Sequence, residues 1–482
     1  MILIKQAEVY CGRRSDFNGP QLTDVRCAGG RIVAIDKNLD PLDGEIVIEA
    51  NGGALLPGLH DHHIHLMALT AAGQSLICGP PAVNSGEQLG NALQGCGGSG
   101  WIRGVAYHES VAGMLHRKQL DEWVVNRPLR IQHRSGKMWF VNSLAAKLLK
   151  LSENRHLDGI EVDDDNEPTG RLFRMDEWLR GQLNRAETLD VKATSSLLAS
   201  FGVTSVTDAT VNNNDATWNF YQKKIDSGEV LQRVLLMGDE SLISIASGAN
   251  WPLAETTKLL ERGILKILLD DAALPDFYQL TQRIVRAHEL QCAVAIHCVT
   301  TVELVFALAV CEEAGHFPGD RIEHGSVVDD SALEVLYRSG MTVVTQPNFI
   351  AERGDQYAID VDTAQQPFLY RVKTLLDAGI PVGGSTDAPY GNPDPWCSIN
   401  AAVHRKTPTG AKLGELECVS PEQALRLFTS PASNPGGPMV PTIMGAVADL
   451  CLLDRPWREA RLRLQHEDVK MTVRGGEIIY RS

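Results

Sequence analysis

From about residue 200 onward the chain alternates short apolar runs with amphipathic segments, and this alternation constrains the fold more than any other feature. The runs are Gly202–Thr207, Leu231–Met237, Ile264–Leu269, Ala293–Ile296, Arg321–Glu323, Met341–Thr345 and Ile380–Gly384. Short, nearly continuous apolar strands belong to a parallel sheet buried on both faces, and helices must cover it. Helices are predicted between them. Leu280, Ile284 and His288 recur every four positions in Tyr278–Leu290, and Val372, Leu375, Leu376 and Ala378 form a stripe in Arg371–Gly379, with Gly379 as terminator. Ser420-Pro421-Glu422-Gln423 reads as a capping box with Pro at the first helical position. With a first strand at Ala54–Leu59, eight units predict an α/β protein built on a (β/α)8 TIM-like barrel.

Both ends read differently. Gly30–Asp36, Gly44–Ala50, Ala448–Asp454 and Val469–Tyr480 are β-branched runs, the last broken at Gly475-Gly476. Neither end alone has enough strands to be stable. The expectation is one small β-sandwich formed from residues 1–56 and 428–482, around a barrel spanning 57–427. Between Leu66 and about residue 195 lies a stretch too long for a single loop. Leu129–Gln132 reads as a strand and Asn142–Lys150 as a helix, so an inserted subdomain or lid is predicted at about 70–195, after strand 1.

Composition bounds the partners. Of 482 residues 44% are hydrophobic and 22% charged, which excludes a disordered chain. The net charge of −15, with no long Lys/Arg run, argues against nucleic acid or an anionic membrane as partner. No apolar run approaches the roughly 20 residues of a membrane span. Lys5 and Glu8 interrupt what a signal peptide would need, so the N-terminus is read as a first strand. The ten cysteines, Cys11 to Cys451, form no CxxC pair and are expected to be buried free thiols in the cytoplasm. A small-molecule substrate is the expected partner; homo-oligomer formation is left open.

The densest chemical signal is His60-Asp61-His62-His63-Ile64-His65, read as lying directly after the first strand. In extended backbone His63 and His65 share a face about 7 Å apart and can converge on one metal ion. His297 and His324 end the fifth and sixth strands, and Asp387 follows the eighth. In a parallel barrel all C-terminal strand ends face one mouth. Lys266, inside Ile264–Leu268, is costly there unless paired or modified. A neutral amine at that position could add CO2 and become a carbamate, an anionic ligand able to bridge two ions.

Pro57-Gly58-Leu59-His60-Asp61-His62-His63-Ile64-His65, with Lys266, His297, His324 and Asp387 in the same order, resembles the metal-dependent amidohydrolase superfamily, and more finely its amidohydrolase-3 branch. Ser200–Asp208, Asp320–His324, Gln346-Pro347, Ser385–Pro389 and Gly445–Leu450 carry the finer likeness. The resemblance implies that His63 and His65 hold a buried metal. Lys266, as a carbamate, would bridge to a second ion held by His297 and His324, and Asp387 would ligate weakly and shuttle protons. Zn2+, one or two ions, is the expected cofactor, since nitrogen and carboxylate donors without thiolates suit it. The implied activity is hydrolysis of a C–N bond in an amide, cyclic amide or N-acyl amino-acid-like substrate by metal-activated water. Ester hydrolysis, deamination or decarboxylation at the same site, a non-catalytic metal-binding regulatory protein, and a glycosidase using Glu323 with Asp387 are the alternatives. Cys298-Val299-Thr300-Thr301, Arg174 after Gly170–Phe173, and Lys137 depart from the branch's usual residues, and these departures fall on substrate recognition. Tyr107, His108, Arg134, Trp139 and Gln346 are candidate substrate contacts. Asp163-Asp164-Asp165 reads as a solvated turn, and Trp396 as a residue shaping the mouth.

Overall fold

The structure is a computed structural model that describes residues 1–10, 22–80, 82–97, 100–183, 190–244 and 258–482. The chain forms two compact units: Met1–Leu66 with Val191–Ser482, and Met67–Asp190.

The first unit contains eight parallel strands in sequence order: β1 (Leu59–Ile64), β2 (Val203–Asp208), β3 (Arg233–Gly238), β4 (Leu260–Leu268), β5 (Ala293–Cys298), β6 (Arg321–His324), β7 (Thr342–Thr345) and β8 (Val382–Gly384). Each is hydrogen-bonded to the next. Beyond β8 the chain bonds back to β1, the Asp387 amide donating to the His63 carbonyl (3.0 Å) and the His65 amide to the Ala388 carbonyl (2.8 Å). The sheet is thus a nearly closed barrel. Ala209, Leu235, Met237, Ile264, Ala293 and Ala295 pack together as a buried apolar cluster. Helices at Phe277–Glu289, Val372–Asp377 and Pro421–Arg426 lie within a residue or two of the segments predicted, and Ser420 and Gln423 form a complete capping box.

The sequence reading misplaces the first barrel strand. Ala54–Pro57 belongs to a different sheet, pairing with Glu8-Val9 and with Leu450–Leu452, and β1 is the His-rich motif itself. The switch occurs at Gly58. Its amide donates to the Asp449 carbonyl, while that of Leu59 donates to the Gly202 carbonyl. A Cβ at Gly58 would stand 2.3 Å from the Thr204 side chain, so only glycine passes between the sheets. The strands from both termini form one hydrogen-bonded path, Glu477–Arg481, Val469–Arg474, Leu450–Leu453, Ala54–Pro57, Ile2–Val9, Thr23–Ala28 and Arg31–Asp36, with Ile46–Glu49 paired to Ile2–Val9. Ile4, Val25, Leu55, Leu450 and Val473 share its core, so neither terminus buries its apolar face alone.

The second unit, Met67–Asp190, has its own six-stranded sheet, ordered Ile160–Val162, Pro168–Phe173, Met138–Val141, Leu129–His133, Ile102–Tyr107 and Leu76–Ile77, with its own buried clusters. Asp163–Asp165 is an exposed turn, as expected. Cys11 lies outside the described residues; the other nine cysteines are free. Among the described residues no helix is long and apolar enough to cross a membrane.

Gly202 joins barrel to terminal sheet. Its φ is +85°, and a Cβ there would meet Cys451 Sγ at 2.6 Å. Gly202→Ala therefore carries both a left-handed backbone cost and an overpacking cost. A loss of about 2 kcal/mol or more in urea unfolding is expected; an unchanged midpoint would show that the two sheets do not meet as tightly as described.

Candidate active site

β1 is extended and buried along its whole length, so its side chains alternate. Asp61, His63 and, just past the strand, His65 share one parity. The His63 and His65 rings lie 5.3 Å apart, and both Nε2 atoms face Asp387 Oδ1, at 3.5 and 3.4 Å. Donor atoms of His63, His65 and Asp387 all fall within 4.8 Å of one another. The His324 ring is 4.8 Å from that of His63, and the His297 ring 4.5 Å from that of His324. The structure thus brings together the histidines and the aspartate that the sequence singled out from four strand ends.

Each of three imidazoles is held from behind at Nδ1. That of His63 bonds Glu323 Oε2, that of His65 lies 3.0 Å from Thr210 Oγ1, and that of His324 lies 2.9 Å from Gln346 Oε1. Gln346 in turn donates to Ser385 Oγ at 2.8 Å. With Nδ1 engaged, Nε2 is the free nitrogen, the arrangement that orients histidines for a metal. The other oxygen of Glu323 accepts from Arg321 Nε, and Arg321 also donates to the His62 carbonyl (3.0 Å). Both oxygens of Glu323 are therefore occupied, which removes the opposed carboxylate pair that a glycosidase would need. Asp61 accepts from the amide and hydroxyl of Thr386 and from the His63 amide, tying β1 to the segment carrying Asp387.

Lys266 is 3% exposed, and its Nζ has no hydrogen-bond partner among the described residues. Burial is the main cause pushing its amine down to about 8, against the pull of Glu323; Arg321 lowers it further. Burial likewise holds His63 and His324 well below the usual imidazole range, with nearby cations adding to it, and holds His297 down to about 3. His63, His297 and His324 are therefore neutral imidazole donors. Asp387 Oδ1 is buried without a hydrogen-bond partner among the described residues. A buried carboxylate oxygen among imidazole nitrogens, beside an amine that a carbamate would turn into an anionic ligand, is a donor set that fits a divalent cation.

Two residues here have unusual backbone. His324 has φ +69° and Asp387 φ +55°, left-handed values that non-glycine residues seldom adopt. They turn these side chains into the lumen. Strict alternation would set Glu323 and His324 on opposite faces, yet both meet His63. Sequence reasoning offered Glu323 only as half of a glycosidase pair and gave Arg321, Asp61 and Thr386 no part. An Arg-x-Glu alternation inside an otherwise apolar strand was the available signal.

The candidate substrate contacts divide. Gln346 touches the cluster through His324. Tyr107 is fully buried in the core of the second unit, its hydroxyl donating to the Gly113 carbonyl (2.6 Å), and buried Trp139 donates its indole N–H to Asp176 (2.8 Å), so both have packing partners of their own. His108 bonds Ser110 at 2.7 Å, and Arg134 donates its amide to the Tyr107 carbonyl. Trp396 does not shape a mouth: it is buried in the first unit and donates to the Phe201 carbonyl (2.9 Å).

Comparison with known proteins agrees with this geometry. Residues 46–480 match the profile of the Amidohydrolase family. The chain belongs to that family. It is an enzyme of the amidohydrolase class. It is 26% identical to the N-substituted formamide deformylase of Arthrobacter pascens, covering 89% of this chain and 90% of that one. It is 24% identical to the putative amidohydrolase YtcJ of Bacillus subtilis (strain 168), covering 90% of each. An uncharacterized metal-dependent hydrolase from Pyrococcus horikoshii OT3 shares the fold with TM-score 0.76 at 22% identity, over 94% of this chain and 97% of that one.

Two predictions follow from the supports. Glu323→Gln weakens the hold on His63 and is expected to reduce zinc affinity about 10- to 100-fold in a chelator competition; unchanged affinity would remove Glu323 from the site. His60, on the other parity of β1, sits between Ser205 Oγ (2.5 Å) and Thr207 Oγ1 (2.8 Å), and burial holds it down to about 3 from 6.5. Between those values the unfolded chain binds a proton that the native state refuses. Its contribution is therefore present above pH 6.5 and is lost as pH falls toward 3. Asp61, pushed up to about 7 by burial, has the opposite sign, losing stability as pH rises from 3.8 to 7. Metal-free His60→Asn should lose stability less steeply than the parent on acidification from about pH 6.5 to 4, by up to ~1.4 kcal/mol per pH unit. Parallel denaturation curves would contradict a neutral, buried His60.

Proposed function

We propose that this amidohydrolase cleaves a C–N bond in an amide, cyclic amide or N-acyl amino-acid-like small molecule. The observation that carries the reading is the convergence of His63, His65 and Asp387 beside the orphaned Lys266 amine. In this reading His63, His65, Lys266, His297, His324 and Asp387 hold one or two divalent ions, Zn2+ being one that imidazole and carboxylate donors accept. Such an ion supplies a nucleophilic hydroxide near neutral pH and polarises a carbonyl.

The chain's own residues do the rest. Burial pushes the Lys266 amine down to about 8, which enlarges the neutral fraction able to add CO2: a new N–C bond forms, one proton leaves, and the product is an anionic carbamate. Asp387 is placed to take the proton of the attacking water on Oδ1, 3.4–3.5 Å from the Nε2 atoms of His63 and His65, and to return it to the leaving nitrogen. Glu323, Thr210 and Gln346 keep the three imidazoles in fixed orientation. The relative named as an N-substituted formamide deformylase supports a C–N bond as the target. Acidic net charge and nine free cysteines support a small-molecule substrate and a cytoplasmic setting. The same reading divides the chain into a terminal β-sandwich (1–56, 428–482) and a catalytic barrel (57–427).

A panel of N-substituted formamides, cyclic amides, N-acyl amino acids, esters and amino-heterocycles tests this. At least one amide should be hydrolysed, with turnover lost on chelation and restored by zinc. Asp387→Asn should lower kcat by about 10²- to 10⁴-fold while the fold persists. Near-full activity of that variant, or turnover confined to esters or amino-heterocycles, would overturn the reading.

A further inference from the structure

Two exposed hydrophobic side chains flank the cluster from opposite sides of the barrel. Leu268 ends β4. Ile264, Lys266 and Leu268 share one parity of that strand, so Leu268 continues toward the mouth the row that carries Lys266. Leu268 is 58% exposed and stands opposite His297 in register. Tyr390 follows β8; its amide donates to the Asp387 carbonyl (2.8 Å), and its ring stands edge-on to His65 at 5.6 Å, 59% exposed. Strands four and eight of an eight-strand barrel lie across from one another. Val299, two residues past His297, and Val211, just beyond β2, are also exposed at C-terminal strand ends.

A single exposed leucine carries no meaning, but apolar side chains touching or extending a buried polar cluster do. The charges near them disfavour an acid. Asp270 and Asp271 follow β4, and Asp239 follows β3. Arg353 is a nearby cation, but its guanidinium is engaged by the Tyr390 carbonyl and lies 4.4 Å over the Phe349 ring.

We propose that Leu268 and Tyr390 form an apolar subsite beside the metal cluster, so that the preferred substrate carries an uncharged alkyl or aryl substituent and no free carboxylate. This rests on the C–N hydrolysis reading and narrows it, away from N-acyl amino acids and toward neutral substituted amides.

The test is binding rather than turnover. Zinc-loaded protein is titrated calorimetrically with hexanohydroxamate and with adipic monohydroxamate, which share a chelating head and chain length but end in methyl or carboxylate. The alkyl compound should bind at least about tenfold tighter. Leu268→Asp should erase that ratio and Leu268→Met keep it, with zinc content unchanged in both. Tyr390→Ala should weaken the alkyl compound alone. Equal affinities, absent binding of both, tighter binding of the carboxylate, or a ratio untouched by Leu268→Asp and Tyr390→Ala would overturn the subsite. Amide turnover without this preference would sink the subsite and leave the reaction standing; the preference without turnover of any amide would do the reverse.

Discussion

The seam that closes the barrel is the constraint on which the site depends. Residues 63 and 387 are far apart in sequence, and what joins them is a short backbone ladder: the Asp387 amide on the His63 carbonyl, the His65 amide on the Ala388 carbonyl, and Thr386 clamped to Asp61. These bonds hold the first and last strands at the height where the ligand candidates stand. Lengthening the chain between them is tolerable because closure entropy grows only slowly with loop length. A one-residue slip in the seam would not be, since it would turn the His63 row out of the lumen.

Holding so many polar groups in a dry interior is costly, and the structure offsets that cost by keeping most of them neutral or paired. Imidazoles forced well below their ordinary values carry no charge into the core, and Glu323 is neutralised locally by buried Arg321. The backbone adds a further cost at His324 and Asp387, whose left-handed φ values persist because hydrogen bonds on both sides fix them. Other left-handed residues, such as Gln291 and Arg405, end helices, whereas His324 and Asp387 adopt the same conformation at barrel strand ends inside the cluster.

Much of this was legible in the primary structure, for reasons that differ by residue. Apolar strands repeat with helices, so the barrel and its order could be read. His63 and His65 sit two apart, so extended backbone alone aligns them. Ala54–Pro57 was misassigned because its apolar run looks like any barrel strand, and only the close approach of Gly58 to Thr204 shows that the chain changes sheet there. Glu323 beside His324 was not legible as a pair, because alternation separates neighbours and a left-handed residue breaks alternation without any mark in the sequence. Trp396 was misjudged by nearness to Asp387 in sequence: its helix, Pro395–His404, turns the indole toward Phe201.

Along each strand, stability and chemistry are separated by a single step of the pleat. On β4, Ile264 packs the floor, Lys266 carries the reactive amine, and Leu268 stands free at the rim. On β5, Ala293 and Ala295 stand in register with Ile264 and Lys266, and His297 with Leu268. A change at the lowest level is felt by the whole packed interior, and one at the middle level by the cluster. Leu268 is constrained by neither, because it neither fills the core nor holds the cluster. Selectivity among substrates therefore has room to vary there and nowhere deeper, which is why family membership fixes the reaction class of this chain far more tightly than it fixes the molecule it consumes.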